Sequence, residues 1–485
     1  MSATFDAPVA DKERTPHSST ETEPSESTVP AAMNQRRVLG MAVPIIGENL
    51  LQTAVGAVDT LMVARLGKEA VAGVGTSIEV VFFIISALSA VSVGATVLIS
   101  QAFGAGNVGR ASQIARQALV WGILLAIPVS ITGFLAAGTV ISVFGTEPDV
   151  AANATTYLEV TAATSVVLLL TFVCGAIFRG VGDSRTPLKA SIVANVVNVG
   201  VAYMLIFGHL GMPELGVAGS AWAAAAGRGV AALILIGILL RGRRVISLRG
   251  REGWQPRVQF GRQLLQLGFP AAIEQMLMSA GFMVMMAVVA LLGTVALAAQ
   301  QIGFTALSIA FMPGFGFAMA ATALVGQSVG ARNIASARTA ARIAMVWGIA
   351  WMAIGGLIYV VFARLVMQAF TSDEEVIADG VRALRALAVG LPFWAIWSVN
   401  GGALRGSGDT RTPMIMSVTT VWLAVALAFG AVRWLDAGLG TVWLTFLVTS
   451  PIGALGNWLT LRRRLASGSS VLSTVAKEPV AVAAH

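Results

Sequence analysis

Long apolar stretches separated by short polar segments run from about residue 38 to residue 461 of this chain. Each stretch has the roughly 20 residues that a helix needs to cross a hydrocarbon layer of about 30 Å. Because a bilayer interior offers no water to backbone N–H and C=O groups, such stretches are helical. The pattern predicts an all-α membrane protein with twelve spans: 38–64, 70–100, 114–143, 150–178, 188–208, 216–240, 264–290, 296–325, 340–368, 375–403, 414–434 and 440–461.

The second feature is an internal duplication with a constant offset of 226 residues. Gln101 corresponds to Gln327 at this offset. The segment 179–187 (Arg-Gly-Val-Gly-Asp-Ser-Arg-Thr-Pro) corresponds to 405–413 (Arg-Gly-Ser-Gly-Asp-Thr-Arg-Thr-Pro). Each copy holds six spans and begins on the same side of the membrane, so the duplication is parallel. Many transporters are built from such repeats, with the substrate path between them.

The chain therefore divides into five predicted segments. The ends are rich in polar residues and lack long apolar runs, which is typical of disordered tails. The segments are a tail at 1–35, an N-terminal lobe at 36–240, a basic linker at 241–263, a C-terminal lobe at 264–465 and a tail at 466–485.

The repeated Arg-Gly-x-Gly-Asp loops lack the Gly-Lys-Ser/Thr ending of a phosphate-binding loop and do not follow a strand. We interpret them as tight turns in which the glycines permit unusual backbone angles. We also expect Arg–Asp pairs within these loops to fix the adjacent helix ends.

Composition supports the membrane assignment, since 56% of the 485 residues are hydrophobic and only 12% are charged. An average soluble domain has about 25% charged residues. The net charge of +8 comes mainly from loops on one side of the spans, which places those loops and both termini in the cytoplasm. We expect this charge to rest on anionic lipid and not on nucleic acid. The lone Cys174 and three scattered histidines disfavour a disulfide framework and a histidine metal site.

Acidic residues in the first span are the main candidates for ion coupling. Asp59 lies late in this span, and burial of a carboxyl group favours its neutral form, which permits proton uptake. Glu48 lies 11 residues earlier, nearly three helical turns, and Gln52 shares the same face. The alternative is that Asp59 is a helix-end residue at the headgroup level. Glu48 and its repeat, Glu274, fit either a gate or a structural role.

Arg228 is the only basic residue deep in a predicted span, so it needs an anionic or polar partner. Asp59 and Glu79 are candidates, and backbone carbonyls or a lipid headgroup are the alternative. An Arg–Asp pair would work against proton coupling because it stabilises the charged carboxylate.

Methionine and aromatic residues of the second half are candidates for substrate binding. Such side chains form adaptable surfaces, and aromatic faces attract organic cations. Ordinary packing explains any one of them equally well. The candidates are Met285, Met286, Met312, Phe315, Trp394 and Trp397.

Several of these motifs resemble the multidrug and toxic compound extrusion (MATE) family, in its bacterial and archaeal branch. They are Pro44 ahead of Val58-Asp59-Thr60, the segment 101–107, the two Arg-Gly-x-Gly-Asp loops, and the pair Asn195 and Asn198. The resemblance extends from about residue 36 to residue 465. It implies a V-shaped twelve-helix fold with two lobes, and export of bulky, often cationic organic compounds in exchange for Na⁺ or H⁺.

The resemblance also implies that Asp59 is the cation-coupling carboxylate, with Asn198 beside it. Relatives with this aspartate often carry a second carboxylate one turn after the asparagine, but Ala202 occupies that position here. Since Na⁺ prefers several oxygen ligands, this departure favours coupling to H⁺ over a Na⁺ site at Asp59 and Asn198.

We therefore predict a monomeric antiporter of the plasma or inner membrane, without a cofactor, which contacts lipid and small organic substrates. The main alternative is a lipid-linked oligosaccharide flippase of the same superfamily, which would need several Arg or Lys residues in its cleft. A passive channel is a further alternative. No pattern of catalytic residues indicates an enzyme.

Overall fold

The computed structural model describes residues 33–242, 246–250, 253–435 and 437–467, and the regular elements in these ranges are all helices. The two predicted tails lie outside the described residues except for their innermost few positions. The predicted linker is partly described, and the helix that follows it begins at Val258 and not at residue 264.

In the described part of the chain, the first copy of the repeat forms seven α-helices and one short 3₁₀ helix, His209–Gly211, and we call this copy the N-lobe. The fourth predicted span is divided at Thr164, where its two helices meet with a bend of 52°. The helices are α1 (Gln35–Ala64), α2 (Lys68–Gly104), α3 (Val108–Ser142), α4 (Pro148–Ala163), α5 (Ser165–Gly180), α6 (Arg185–Phe207) and α7 (Val217–Arg241).

The second copy forms the C-lobe. Among the described helices of both lobes, ten are long and apolar enough to cross a membrane, and α4 with α5 makes an eleventh span. The 33-residue helix α11 is less apolar but completes the set of twelve, so the predicted all-α, two-lobed architecture is confirmed. The C-lobe helices are α8 (Val258–Ala290), α9 (Thr294–Gly330), α10 (Ile334–Gln368), α11 (Glu374–Gly406), α12 (Arg411–Trp434) and α13 (Leu439–Ser467).

Equivalent turns of the two lobes use the same local chemistry. The side chains of Asn107 and Asn333 each accept a hydrogen bond of 2.9 Å from a backbone N–H three residues ahead, and so cap α3 and α10. The residue before each cap has a left-handed backbone, with φ of 76° at Gly106 and 55° at Arg332. Both copies therefore reverse direction in the same way, although only one has the glycine that tolerates this conformation without strain.

The Arg-Gly-x-Gly-Asp loops are the predicted turns, with φ of 86° at Gly182 and 89° at Gly408. Asp183 and Asp409 each accept a hydrogen bond from the backbone N–H three residues later, at 3.1 and 3.0 Å. These aspartates therefore hold the first turns of α6 and α12.

The loop arginines pair with glutamates, and the loop aspartate Asp409 pairs with Arg464 of α13 at 3.2 Å. Arg179 pairs with Glu48, and Arg405 pairs with Glu274. Side chains on a helix lean toward its N-terminus, so arginines in the last turns of α5 and α11 point back into their lobes and away from the following loop.

Two glutamines join the lobes at one end of the molecule. Gln101 Nε2 donates a hydrogen bond of 3.0 Å to Gly406 O, and Gln327 Nε2 donates one of 2.9 Å to Gly180 O. The two bonds are related by the 226-residue offset. We call the region defined by these four residues the closed end.

Glycine is required where the backbones meet at the closed end. A Cβ atom on Gly104 would lie 1.9 Å from Gln327 O, and one on Gly330 would lie 2.0 Å from Gln101 O. No flexible side chain can move aside to relieve these contacts, because the opposing atoms are backbone. The lobes are therefore in direct main-chain contact here.

Candidate functional site

A cavity of about 310 Å³ lies within the N-lobe, where α1, α2, α4, α5, α6 and α7 surround it. Its apolar wall comes from valine, isoleucine and phenylalanine side chains. Its polar lining is drawn from five helices and consists of Gln52, Asp59, Thr60, Tyr157, Thr171, Ser191, Asn195, Asn198, Ser220 and Arg228.

Asp59 lies in the last third of α1 and lines this cavity. It is therefore inside the lobe and not at a solvated helix end, which was the alternative. Asn198 lines the same cavity as Asp59. In the described structure, however, three buried atoms of this group lack hydrogen bonds: Asp59 Oδ1, Asn195 Nδ2 and Asn198 Oδ1. Leaving a buried polar atom unpaired costs about 1–3 kcal/mol, so the site is suited to a polar or ionic occupant.

Arg228 lines the same cavity, and its positive charge acts on the Asp59 carboxylate. Of the two predicted partners, Asp59 lines the same cavity as Arg228, whereas Glu79 is exposed and does not line it. Among the described residues no salt bridge within 4.0 Å joins Arg228 to Asp59, so the ion pair that would work against proton coupling is not formed. Thr171 Oγ1 donates a hydrogen bond of 3.0 Å to Arg228 O and ties α5 to α7 beside the guanidinium. Asp59 is the only acidic residue in the cavity lining, so one negative and one positive charge face each other there.

Glu48 does not line the cavity itself, and its charged partner Arg179 also lies outside the cavity lining. Arg179 Nη1 lies 3.5 Å from Glu48 Oε2, and Ser191 Oγ donates a hydrogen bond of 3.3 Å to Glu48 Oε1. Ser191 also lines the cavity, so this cluster forms the boundary between the site and the closed end.

The C-lobe contains the equivalent cluster in a tighter form. Arg405 Nη2 donates hydrogen bonds of 2.7 Å to both carboxylate oxygens of Glu274, and Ser417 Oγ donates one of 2.6 Å. Glu274 is only 5% exposed. The structure thus places the predicted coupling residue Glu274 in a satisfied ion pair in the other lobe, away from Asp59.

The predicted substrate residues are divided between two environments. Met285, Trp394 and Trp397 are buried in the C-lobe core, where the Trp394 ring lies 5.5 Å from that of Trp397. Met286 and Phe315 are exposed, and Met312 is half-buried. The substrate prediction for the exposed residues Met286 and Phe315 therefore stays a prediction, whereas burial shows that Met285, Trp394 and Trp397 are packing residues in this structure.

Sequence reasoning found Gln52, Asp59 and Asn198 but missed Tyr157, Thr171 and Ser220 as cavity residues. An isolated polar residue in an apolar span has no local pattern to mark it. A signal was nevertheless present in the repeat, because Tyr157 and Thr171 are replaced by Ala383 and Trp397 at the 226-residue offset.

One family model matches this chain twice, once in each copy of the repeat. The MatE family model matches residues 44–204 and 270–429. These ranges correspond to α1–α6 and α8–α12, so the two matched ranges are the two copies of the repeat.

Relatives at the sequence level cover nearly the whole membrane body. The chain is 32% identical over 416 residues to the probable multidrug resistance protein NorM of Thermotoga maritima, with 84% of this chain and 88% of the relative covered. It is 28% identical over 446 residues to the probable multidrug resistance protein NorM of Rhizobium meliloti, with 88% and 93% covered.

Solved structures share the fold at lower identity. A MOP superfamily transporter from Pyrococcus furiosus is 22% identical with a TM-score of 0.84, covering 90% of this chain and 96% of that one. An outward-facing multidrug resistance transporter of the MATE family is also 22% identical, with a TM-score of 0.85 and coverage of 92% and 100%.

Proposed function

The chain belongs to the MatE family of membrane transporters, and from this premise we propose that it exports organic compounds in exchange for protons bound at Asp59. It is a multi-pass membrane transporter and not an enzyme. The relatives named as multidrug resistance proteins support small organic molecules as its substrates.

The observation that carries the proposal is the position of Asp59 in a cavity with unpaired polar atoms around it. An ionisable group inside a membrane is costly, and it is usually retained for ion or proton movement. A coupling ion can bind Asp59 only if a cavity gives it access to the carboxylate, and the cavity described above provides that access.

Charge balance in the cavity favours H⁺ over Na⁺ as the coupling ion. Na⁺ prefers several oxygen ligands, which carboxylates provide best. This cavity offers one carboxylate and also holds a guanidinium, so its net charge is close to zero. A proton needs only one lone pair of Asp59 and requires no coordination shell.

Arg228 gives this exchange a mechanism. When Asp59 is charged, it attracts Arg228. When Asp59 takes up a proton, the attraction to Arg228 disappears, and the arginine is released toward other acceptors. Protonation thereby stabilises one arrangement of the N-lobe over another, and such differential stabilisation is what alternating access requires.

We further propose that the closed end faces the cytoplasm, because the basic Arg-Gly-x-Gly-Asp loops, the start of α1 and the end of α13 lie at this end. The described conformation would then be open toward the outside. We also propose that the exposed Met286 and Phe315 contact organic substrates, and that the protein acts in the plasma membrane as a monomer.

The flippase alternative is less well supported. Such a protein needs several basic residues to hold a pyrophosphate group, and Arg228 is the only basic residue lining the described N-lobe cavity.

Transport in proteoliposomes under separately imposed gradients tests the proposal. An inward proton gradient without Na⁺ should drive ethidium movement, and an inward Na⁺ gradient at equal pH should not. Transport driven by Na⁺ alone would contradict proton coupling, and movement down the ethidium gradient only would indicate a channel.

A further inference from the structure

A groove of about 710 Å³ opens on the surface where the lobes meet, between α3 of the N-lobe and α8 and α12 of the C-lobe. It is separate from the cavity around Asp59, since the two share no lining residue. Most of its lining is apolar and comes from Trp121, Val258, Leu265, Phe269, Ile273 and Met414.

Two arginines line one end of this groove. Arg262 lies in the second turn of α8, and Arg411 is the first residue of α12. Both are exposed, and neither has an acidic partner among the residues that the structure describes. Two positive charges therefore lie at one end of an apolar channel.

The shape of the groove is fixed by a contact between the lobes. The Trp121 ring lies against Gly261, where an added Cβ would be only 2.4 Å from the ring. Trp121 Nε1 donates a hydrogen bond of 3.2 Å to Arg257 O, which holds the ring in place. The wall is therefore built from residues of both lobes and is not a gap left by loose packing.

We propose that this groove binds one anionic phospholipid from the leaflet at the closed end. The apolar channel lies along membrane-spanning helices, where acyl chains are the available occupant. The arginines lie at the helix ends, at the depth of the headgroups, and arginine binds phosphate oxygens with paired hydrogen bonds. A lipid in this position contacts α3 and α8 together, and so bridges the lobes.

The duplication provides a matched comparison. At the 226-residue offset, Arg262 and Arg411 answer to Arg36 and Arg185, and these are also exposed. Gly261, however, answers to Gln35, so a tryptophan cannot lie against the helix in the same way. Arg36 and Arg185 therefore carry the same charges as Arg262 and Arg411 but lack the wall that Trp121 forms against Gly261.

Native mass spectrometry of the purified full-length chain tests the proposal by titration with phosphatidylglycerol and with phosphatidylcholine of identical acyl chains. One phosphatidylglycerol should bind more tightly than phosphatidylcholine. On a scale of about fivefold for each arginine near a membrane surface, Arg262→Gln with Arg411→Gln should weaken phosphatidylglycerol roughly 25-fold. Phosphatidylcholine should lose much less, because its choline cation already offsets the phosphate charge.

The double variant Arg36→Gln with Arg185→Gln is the charge-matched control and should retain wild-type binding. The charge-retaining variant Arg262→Lys with Arg411→Lys should keep the preference for phosphatidylglycerol. Ile273→Trp fills the groove without a change of charge and should weaken both lipids. Equal binding of the two lipids by the wild type, equal losses in the two glutamine double variants, or no effect of Ile273→Trp would overturn the proposal.

Discussion

At the centre of the N-lobe, Asp59 and Asn198 line a polar cavity, whereas the C-lobe has Met285 and Ala424 at the positions 226 residues later. Both C-lobe residues are buried in an apolar core. The helices around the two centres follow the same order, but the N-lobe span formed by α4 and α5 bends by 52° where the C-lobe has the single helix α11, so side chains and one helix break together distinguish the centres. The comparison teaches that the repeat supplies the spans twice but the polar cavity proposed to bind the coupling ion only once.

Away from the centres, the lobes keep the same contacts. Glu48 and Glu274 pair with equivalent arginines, and Gln101 and Gln327 make equivalent hydrogen bonds across the closed end. Elements that hold each lobe together, or that join the lobes, are thus present in both copies. This separation makes the roles of the shared and unshared residues testable one at a time.

The largest effect on transport is expected at Asp59, the carboxylate that has no counterpart in the C-lobe. Asp59→Asn removes the charge but keeps the shape of the side chain, so proton-driven ethidium efflux should fall at least about tenfold. Efflux from cells, normalised to the amount of protein in the membrane, measures this.

Asp379→Asn is the matched control for that substitution. Asp379 is a carboxylate on a spanning helix of the C-lobe, but it pairs with Arg382 at 2.7 Å near the start of α11. Its replacement should leave efflux close to that of the wild type. Equal losses of efflux in Asp59→Asn and Asp379→Asn would contradict the claim that the coupling carboxylate lies only in the N-lobe.

Substitution of the shared glutamates should affect stability, and more strongly in the C-lobe. Glu274→Gln leaves Arg405 without its charged partner and should reduce the free energy of unfolding by about 3 kcal/mol. Glu48→Gln should cost about 1 kcal/mol, because the Glu48–Arg179 separation is 3.5 Å. Thermal unfolding in detergent compares the two, and a larger loss for Glu48→Gln would contradict the order.

Substitution of Arg228 tests the proposal that its positive charge makes the cavity bind a proton in preference to Na⁺. Arg228→Gln leaves Asp59 as the only charge in the cavity lining, so affinity for Na⁺ should rise roughly tenfold. Thermal stabilisation by NaCl, measured against choline chloride, reports this change. The same stabilisation in the wild type would show that the guanidinium does not exclude Na⁺.

The smallest effect is expected at the closed end. Gln101→Ala removes one hydrogen bond worth about 1 kcal/mol and should shift the lobes toward separation at that end about fivefold. Gln327→Ala should shift them further, because Gln327 Oε1 also accepts a hydrogen bond of 3.0 Å from Arg37. Distances between spin labels at the exposed, equivalent positions Lys189 and Ile415, in a Cys174→Ser background, measure both shifts.

Features determined by local sequence were predictable. Apolar run lengths gave the spans, and helical spacing placed Gln52 and Asp59 on one face of α1, where both line the cavity. Met285 stands 226 residues after Asp59, so the sequence alone shows that a carboxylate occupies this position in only one copy of the repeat.

Features that depend on contacts between distant helices were not predictable. The partner of Arg179 is set by the direction in which its side chain leaves α5, and the adjacent Asp183 suggested a different pair. Tyr157 and Thr171 reach the cavity only because α4 and α5 bend at Thr164. Burial of Trp394 depends on the packing of α9 and α13 against α11, which composition does not reveal.

Proton release on substrate binding tests the central claim most directly. Ethidium is added to purified protein in weakly buffered detergent solution, and the protons released are counted over a range of pH values. The wild type should release up to about one proton for each ethidium bound, and Asp59→Asn should bind ethidium without proton release. Equal proton release by the two proteins would contradict the account, because the exchanged proton would then belong to another group.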